Sequence, residues 1–251
     1  LDPAVLRQHP TRFYGISDNA NLASYLWTEG IVSYYGGTVM TTLAMQGSMT
    51  PYSVEYLERA FFESSIGEIE PSDRFTDEDL DWADPETLDQ RRAFEDNAGW
   101  RWAGSDQRVE GRVWGGCLEV LVPLLAADRY APDASDLEGA VLLLETSEEL
   151  PSAGRVRMAL LAMGERGMLG AIDGVIVGRA KARSHREPRE PSERAAYRER
   201  QRETIETVIE EYNPDAPIVI DVDVGHTAPE VPVPIGGRAV LDPDAERIAF
   251  P

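Results

Sequence analysis

Residues Gly139 to Leu144 form an unbroken apolar run, Gly-Ala-Val-Leu-Leu-Leu. A strand with one face in water alternates apolar and polar side chains. A run without alternation needs cover on both faces, which parallel sheets receive from their crossover helices. The next residues supply such a crossover. Ser152 is placed to cap a helix in which Val156, Leu160 and Met163 recur at helical spacing, and Val175-Ile176-Val177 reads as a second buried strand. Residues 139–178 therefore predict a β-α-β unit. Ser192 to Tyr212 predicts a long amphipathic helix with Ile205, Val208, Ile209 and Tyr212 on its buried stripe. Pro217 to Val222 predicts a third strand, running into Gly225-His226-Thr227-Ala228-Pro229. The expected fold class is α/β.

The first half is less regular. Thr11 to Tyr14 is a short β-like run ending at Gly15, and a helical pattern follows with Leu22, Tyr25 and Leu26 on one face; Ser17, Asp18 and Asn19 all suit its N-cap. Ile31 to Tyr35 is β-rich and closed by Gly36-Gly37. Between Glu63 and Asp89 stand eleven acidic residues against one basic, Arg74, which reads as a solvated connector near a domain boundary. Trp100, Trp102 and Trp114 follow among five glycines, as hairpin packing or as a flat surface for a ligand. The sequence holds no internal repeat.

Charge removes several function classes. With 24 Lys+Arg against 45 Asp+Glu the net charge is −21, which repels phosphate backbones and anionic lipid. No apolar run approaches the ~18–20 residues of a membrane span, and the reading is a cytoplasmic protein. The single Cys117 excludes an internal disulfide framework and a cysteine-based zinc site, and reads as a small buried side chain. Of the basic residues only Lys181 is lysine. An acidic, lysine-poor surface fits work at high salt, and an arginine-favouring genome is the other source of the bias; composition alone does not separate the two, and the high-salt reading is taken. The opening Leu1-Asp2-Pro3 carries no initiator Met and no leader pattern, so a missing N-terminal portion is expected.

Three reactive side chains stand where a strand gives way to a loop. Ser17, in Tyr14-Gly15-Ile16-Ser17-Asp18, sits between a strand and a helix, where a turn lifts Oγ clear and a helix N-terminus supplies positive potential. Asn19 replaces the second glycine of a G-x-S-x-G elbow, and a helix-capping serine is the competing reading. Glu145 ends the apolar strand at the carboxyl edge, where open α/β sheets keep their sites; otherwise it is the first polar residue past the strand. Glu148 and Glu149 read as solvent-facing or as part of the first turn of the next helix. His226 follows the third strand and is the best candidate for a general base, against a histidine that merely packs; His9 lies in a loop and His185 in an arginine-rich stretch. No metal-ligand spacing, P-loop or G-x-G-x-x-G fingerprint appears, so no metal or cofactor is expected. The segment Arg179 to Arg202 holds nine basic residues and reads as a solvated loop and helix face. Ser, Glu and His together make the recurrent acyl-transfer set.

Four segments, Arg12-Phe-Tyr-Gly-Ile-Ser-Asp-Asn19, Arg112-Val-Trp-Gly-Gly-Cys-Leu-Glu-Val-Leu121, Leu142-Leu-Leu-Glu-Thr-Ser-Glu-Glu149 and Gly225-His-Thr-Ala-Pro229 with Val233-Pro-Ile-Gly236, resemble the LD-carboxypeptidase family of serine peptidases, above all its microcin C self-immunity branch. The resemblance implies Ser17 as nucleophile, Glu145 and His226 as its partners, and the backbone N–H of Asp18 as an oxyanion donor. It implies two domains with the site between them: 1–107, the remainder of a class I glutamine amidotransferase-like nucleophile domain plus the acidic connector, and 108–251, carrying Glu145 and His226. It implies a homodimer, and a further oxyanion donor from a Gly-rich segment this chain lacks. The implied substrate is a peptidyl- or aminoacyl-nucleotide conjugate, with Trp100 and Trp102 as candidates to stack on the nucleobase or, alternatively, to pack in the core. A muramoyl tetrapeptide cleaved to release a D-amino acid, and a non-catalytic protein that sequesters such conjugates, are the alternatives.

Overall fold

A computed structural model describes residues 1–81 and 83–251. In chain order the strands are β1 (Tyr14–Gly15), β2 (Ser33–Tyr35), β3 (Gly67–Ile69), β4 (Arg74–Phe75), β5 (Glu95–Asp96), β6 (Arg101–Gly104), β7 (Val109–Cys117), β8 (Val141–Glu145), β9 (Gly174–Gly178), β10 (Pro217–Val222), β11 (Val233–Ile235), β12 (Arg238–Asp242) and β13 (Arg247–Phe250). The helices are α1 (Pro3–Gln8), α2 (Ala20–Thr28), α3 (Pro51–Phe62), α4 (Leu118–Ala127), α5 (Ala153–Glu165), α6 (Met168–Ala171) and α7 (Pro191–Tyr212). Among the described residues no helix is long and apolar enough to cross a membrane.

The fold is α/β, as the apolar runs require. β7, β8, β9 and β10 lie side by side in parallel at the centre of an eight-stranded sheet ordered β3-β13-β12-β7-β8-β9-β10-β6. Every residue of β8, β9 and β10 is buried, so both faces are covered. The expected β-α-β unit over 139–178 is present: β8 and β9 pair from Val141 opposite Gly174, and α5 between them is capped by the Ser152 side chain. Its Val156, Leu160 and Met163 join Ile205, Val208 and Ile209 of α7 in the core. Parallel strands separated by helices all end at one edge of the sheet, and that edge carries Glu145 and the loop after Val222.

A second sheet, β1-β2-β11, carries Tyr35 and leads into Ser17. β1 runs parallel to β2 with Gly15 opposite Tyr35, and β11 returns antiparallel with Val233 opposite the same tyrosine. The two sheets interleave the chain: β3 and β6 hydrogen-bond into the large sheet, while β11 belongs to the small one.

Two solvent-facing expectations are overturned. The acidic connector is not a free solvated segment. It contributes β3 and β4, and its Asp77 is 1 % exposed. The basic stretch supplies the counter-charge: Arg183 Nε lies 2.8 Å from Asp77 Oδ1, and Arg194 and Arg198 also pair with Asp77. Arg179, Lys181, Arg194 and Arg198 are all buried rather than on a solvated face. Burial opposes the charge on Asp77, yet Arg198, Arg183 and Arg194 hold its carboxyl below the usual range. The cluster pins the connector to α7 and to the loop after β9, and a backbone bridge between Thr76 and Ala228 pins it to the loop of His226.

Candidate active site

Ser17 lies one residue past β1, at the start of a 3₁₀ turn of Ser17–Asn19 that leads into α2. Its φ of +59° is uncommon for a side-chain-bearing residue, and marks a sharp strand-to-helix turn rather than an ordinary helix entry. The capping reading is not supported: the residue at the cap of α2 is Asn19, and no side chain closes that cap. Gly15 makes the turn possible, since a Cβ there would fall 2.6 Å from Asn19 Cγ. Asp18 is exposed at the mouth of the turn.

From this turn a chain of hydrogen bonds runs across both sheets. The backbone N–H of Ser17 donates to Tyr35 Oη at 3.0 Å. Tyr35 donates to Glu145 Oε1 at 2.5 Å. The other carboxylate oxygen, Oε2, meets His226 Nδ1 at 2.8 Å. Tyr35 is fully buried and Glu145 is 2 % exposed, so both act with little competition from water. Burial, reinforced by the neighbouring Glu145, holds the Tyr35 phenol well above its usual range, which keeps it a donor. Gly225 lets Glu145 and His226 meet. With φ +105°, a Cβ there would lie 2.5 Å from Glu145 Oε2.

The second ring nitrogen is also occupied. His226 Nε2 lies 3.1 Å from Glu148 Oε2. Burial disfavours a charged imidazole, but Glu145 on one nitrogen and Glu148 on the other outweigh it and push the pKa of His226 up to about 10. The same bond, against partial burial, pulls Glu148 down to about 2. The ring is clasped between two carboxylates, which favour its protonated form.

The structure thus brings Glu145 and His226 into contact and ties Ser17 to Glu145 through Tyr35. Tyr35 was not singled out in the sequence, although it ends its strand before Gly36-Gly37 as Glu145 ends its own; the strand-end rule applied to β2 would have found it. Glu148, expected to face solvent, is 57 % exposed yet bound to the histidine. Trp102 sits in β6 opposite Val219, and Trp100 Nε1 donates to Asp223 Oδ2 at 3.3 Å; both rings pack against the core. Cys117 is buried opposite Glu145, and burial pushes its thiol far above its ordinary value, which removes it as a nucleophile.

The profile of the LD-carboxypeptidase C-terminal domain matches residues 110–241, more than half of the chain. The microcin C7 self-immunity protein MccF of Escherichia coli is 21 % identical over all of this chain and 68 % of its own length. An MccF-like protein from Streptococcus pneumoniae, solved in complex with AMP, superposes with a TM-score of 0.83 at 29 % identity, over 98 % of this chain and 71 % of that one. MccF in complex with aspartyl sulfamoyl adenosine gives 0.77 at 19 % identity, over 100 % and 70 %. The profile match, on a fold shared with MccF-like proteins, identifies the chain as a member of the LD-carboxypeptidase family that resembles its microcin C self-immunity branch.

Proposed function

We propose that the chain is a serine hydrolase that cleaves the amide bond of an aminoacyl- or peptidyl-nucleotide conjugate through an acyl-enzyme. The observation that carries this reading is the continuous link from the Ser17 turn through Tyr35 and Glu145 to His226 Nδ1. It supplies a nucleophile on a strained turn, a histidine, and a buried carboxylate that orients the ring. Family membership and the nucleotide-type ligands of the two related structures support the substrate class.

In this mechanism His226 Nε2, once clear of Glu148, takes the hydroxyl proton of Ser17 as Oγ attacks the scissile carbonyl carbon. Glu145 stabilises the imidazolium so formed. The N–H of Asp18, at the N-terminal end of α2, donates to the developing oxyanion. As the C–N bond breaks, His226 returns the proton to the leaving nitrogen. The same ring then deprotonates the water that releases the acyl group from Ser17.

The test is product analysis by mass spectrometry, with wild type beside Ser17→Ala, on an aminoacyl sulfamoyl adenosine and on a muramoyl tetrapeptide. Release of the amino acid from the adenosine conjugate, lost by about 10⁴-fold or more in Ser17→Ala, is the expected result. Release of D-alanine from the tetrapeptide instead would assign cell-wall chemistry. Tight binding of the conjugate without turnover would assign sequestration.

A further inference from the structure

Tyr35 is bonded to both halves of the site, and its partners fix the direction of each bond. A backbone N–H only donates and a carboxylate only accepts. The phenol oxygen therefore accepts from the Ser17 N–H, and its single hydrogen goes to Glu145 Oε1.

The small sheet places Tyr35 between Gly15 of β1 and Val233 of β11, and leaves none of it exposed. On the other side its ring lies against Gly116 of β7, where a Cβ would stand 3.1 Å from Tyr35 Cε2. The next residue, Cys117, is paired with Glu145 of β8. A glycine in the large sheet thus admits the ring, and both backbones set the height of the hydroxyl. Ser17 needs such an anchor. Its φ of +59° is a conformation that a side-chain-bearing residue keeps only when its surroundings enforce it. The bond into Glu145 has a second effect. A donor on Oε1 draws charge from the carboxylate and moderates its hold on His226 Nδ1, which sits on Oε2.

We propose that Tyr35 is a positioning residue for the acyl-transfer groups: its one hydroxyl braces the turn that carries the nucleophile and, through the same oxygen, sets how strongly Glu145 grips His226. It acts through Ser17 and Glu145, without contact with the reacting atoms. The nucleophile from the small sheet and the carboxylate from the large one are thereby held in a single register, so a change in the hydroxyl is felt at both. The role rests on the hydrolase reading above and adds to it the group that couples the nucleophile to the base.

The experiment compares wild type, Ser17→Ala, Tyr35→Phe and the chain with 3-fluorotyrosine placed at position 35. Steady-state kinetics on an aminoacyl sulfamoyl adenosine give kcat and KM, and proton nuclear magnetic resonance gives the Nδ1–H signal of His226. In Tyr35→Phe kcat falls roughly 10–100-fold, as for a reacting group moved by a fraction of an ångström to an ångström, and KM stays within about twofold. Loss of the phenol hydrogen leaves more charge on Glu145 Oε2, so the Nδ1–H signal moves downfield. Fluorotyrosine keeps the ring and the hydroxyl but is the stronger donor, and moves the signal upfield. A packing role would move neither. With Ser17-dependent turnover in wild type, an unchanged kcat in Tyr35→Phe, a loss carried by KM alone, or a His226 signal that stays in place in both variants overturns the role of Tyr35 and leaves the hydrolase reading standing. Absence of Ser17-dependent turnover in wild type overturns both.

Discussion

At the scale of single residues, two buried acid–base groups lie within four positions of each other and shape the response to pH. Burial raises Glu230 from its ordinary value of 4.5 to about 8, against the pull of Arg92 and of a hydrogen bond from Thr42. A group whose folded pKa is raised lends stability that is complete below its unfolded pKa and is lost as pH climbs through the folded value. For Glu230 that window runs from about 4.5 to about 8. For His226, raised from 6.5 to about 10, it runs higher. Wild type should therefore lose stability steadily from neutral to alkaline pH. Glu230→Gln should remove the lower part of the loss, on the order of 3 kcal/mol at pH 9, and keep the upper part. Thermal melts across pH 5 to 10 check this, and parallel curves for the two proteins would contradict it. The placement of Ser17, Glu145 and His226 just beyond or at strand ends was legible in the sequence, because local pattern reveals such a position. Tyr35 and Glu148 were not, because their partners lie 110 and 78 positions away.

At the scale of elements, the parallel core was legible and the connector was not, for one physical reason. The runs in β8, β9 and β10 are apolar except for Glu145 and Asp221, so their burial is written in their own residues. The acidic segment from Glu63 to Asp89 carries its counter-charges elsewhere in the chain, on residues 179–198, and read by itself it resembles a solvated linker. The ion cluster around Asp77 fixes this segment against α7 and beside the loop of His226. Removing the carboxylate would strand the buried Arg198 and leave Arg183 and the buried Arg194 only the more exposed Glu78 and Glu95. Asp77→Ala should cost about 3–5 kcal/mol, the penalty of leaving buried charge without its partner. A thermal melt lower by about 10 °C or more is expected, and 1 M salt should change the difference little because the cluster is shielded from solvent. A shift of only a degree or two would mean that the cluster contributes nothing to holding the connector.

At the scale of the whole molecule, the arrangement gathers chemistry at the meeting of two sheets. The large sheet brings Glu145 to its carboxyl edge, and the loop after β10 brings His226 to it. The small sheet brings Ser17 and Tyr35 from the first 35 residues, and its β11 arrives from the far side of the His226 loop. Neither sheet alone holds a complete set of acyl-transfer groups. In the proposed mechanism Ser17 becomes acylated. The most direct test is rapid quenching of the enzyme with aminoacyl sulfamoyl adenosine, followed by peptide mapping in the mass spectrometer. An acyl adduct on the peptide containing Ser17, absent in Ser17→Ala, is expected; substrate turnover with no adduct at Ser17, or turnover that survives Ser17→Ala, would rule the acyl-enzyme out.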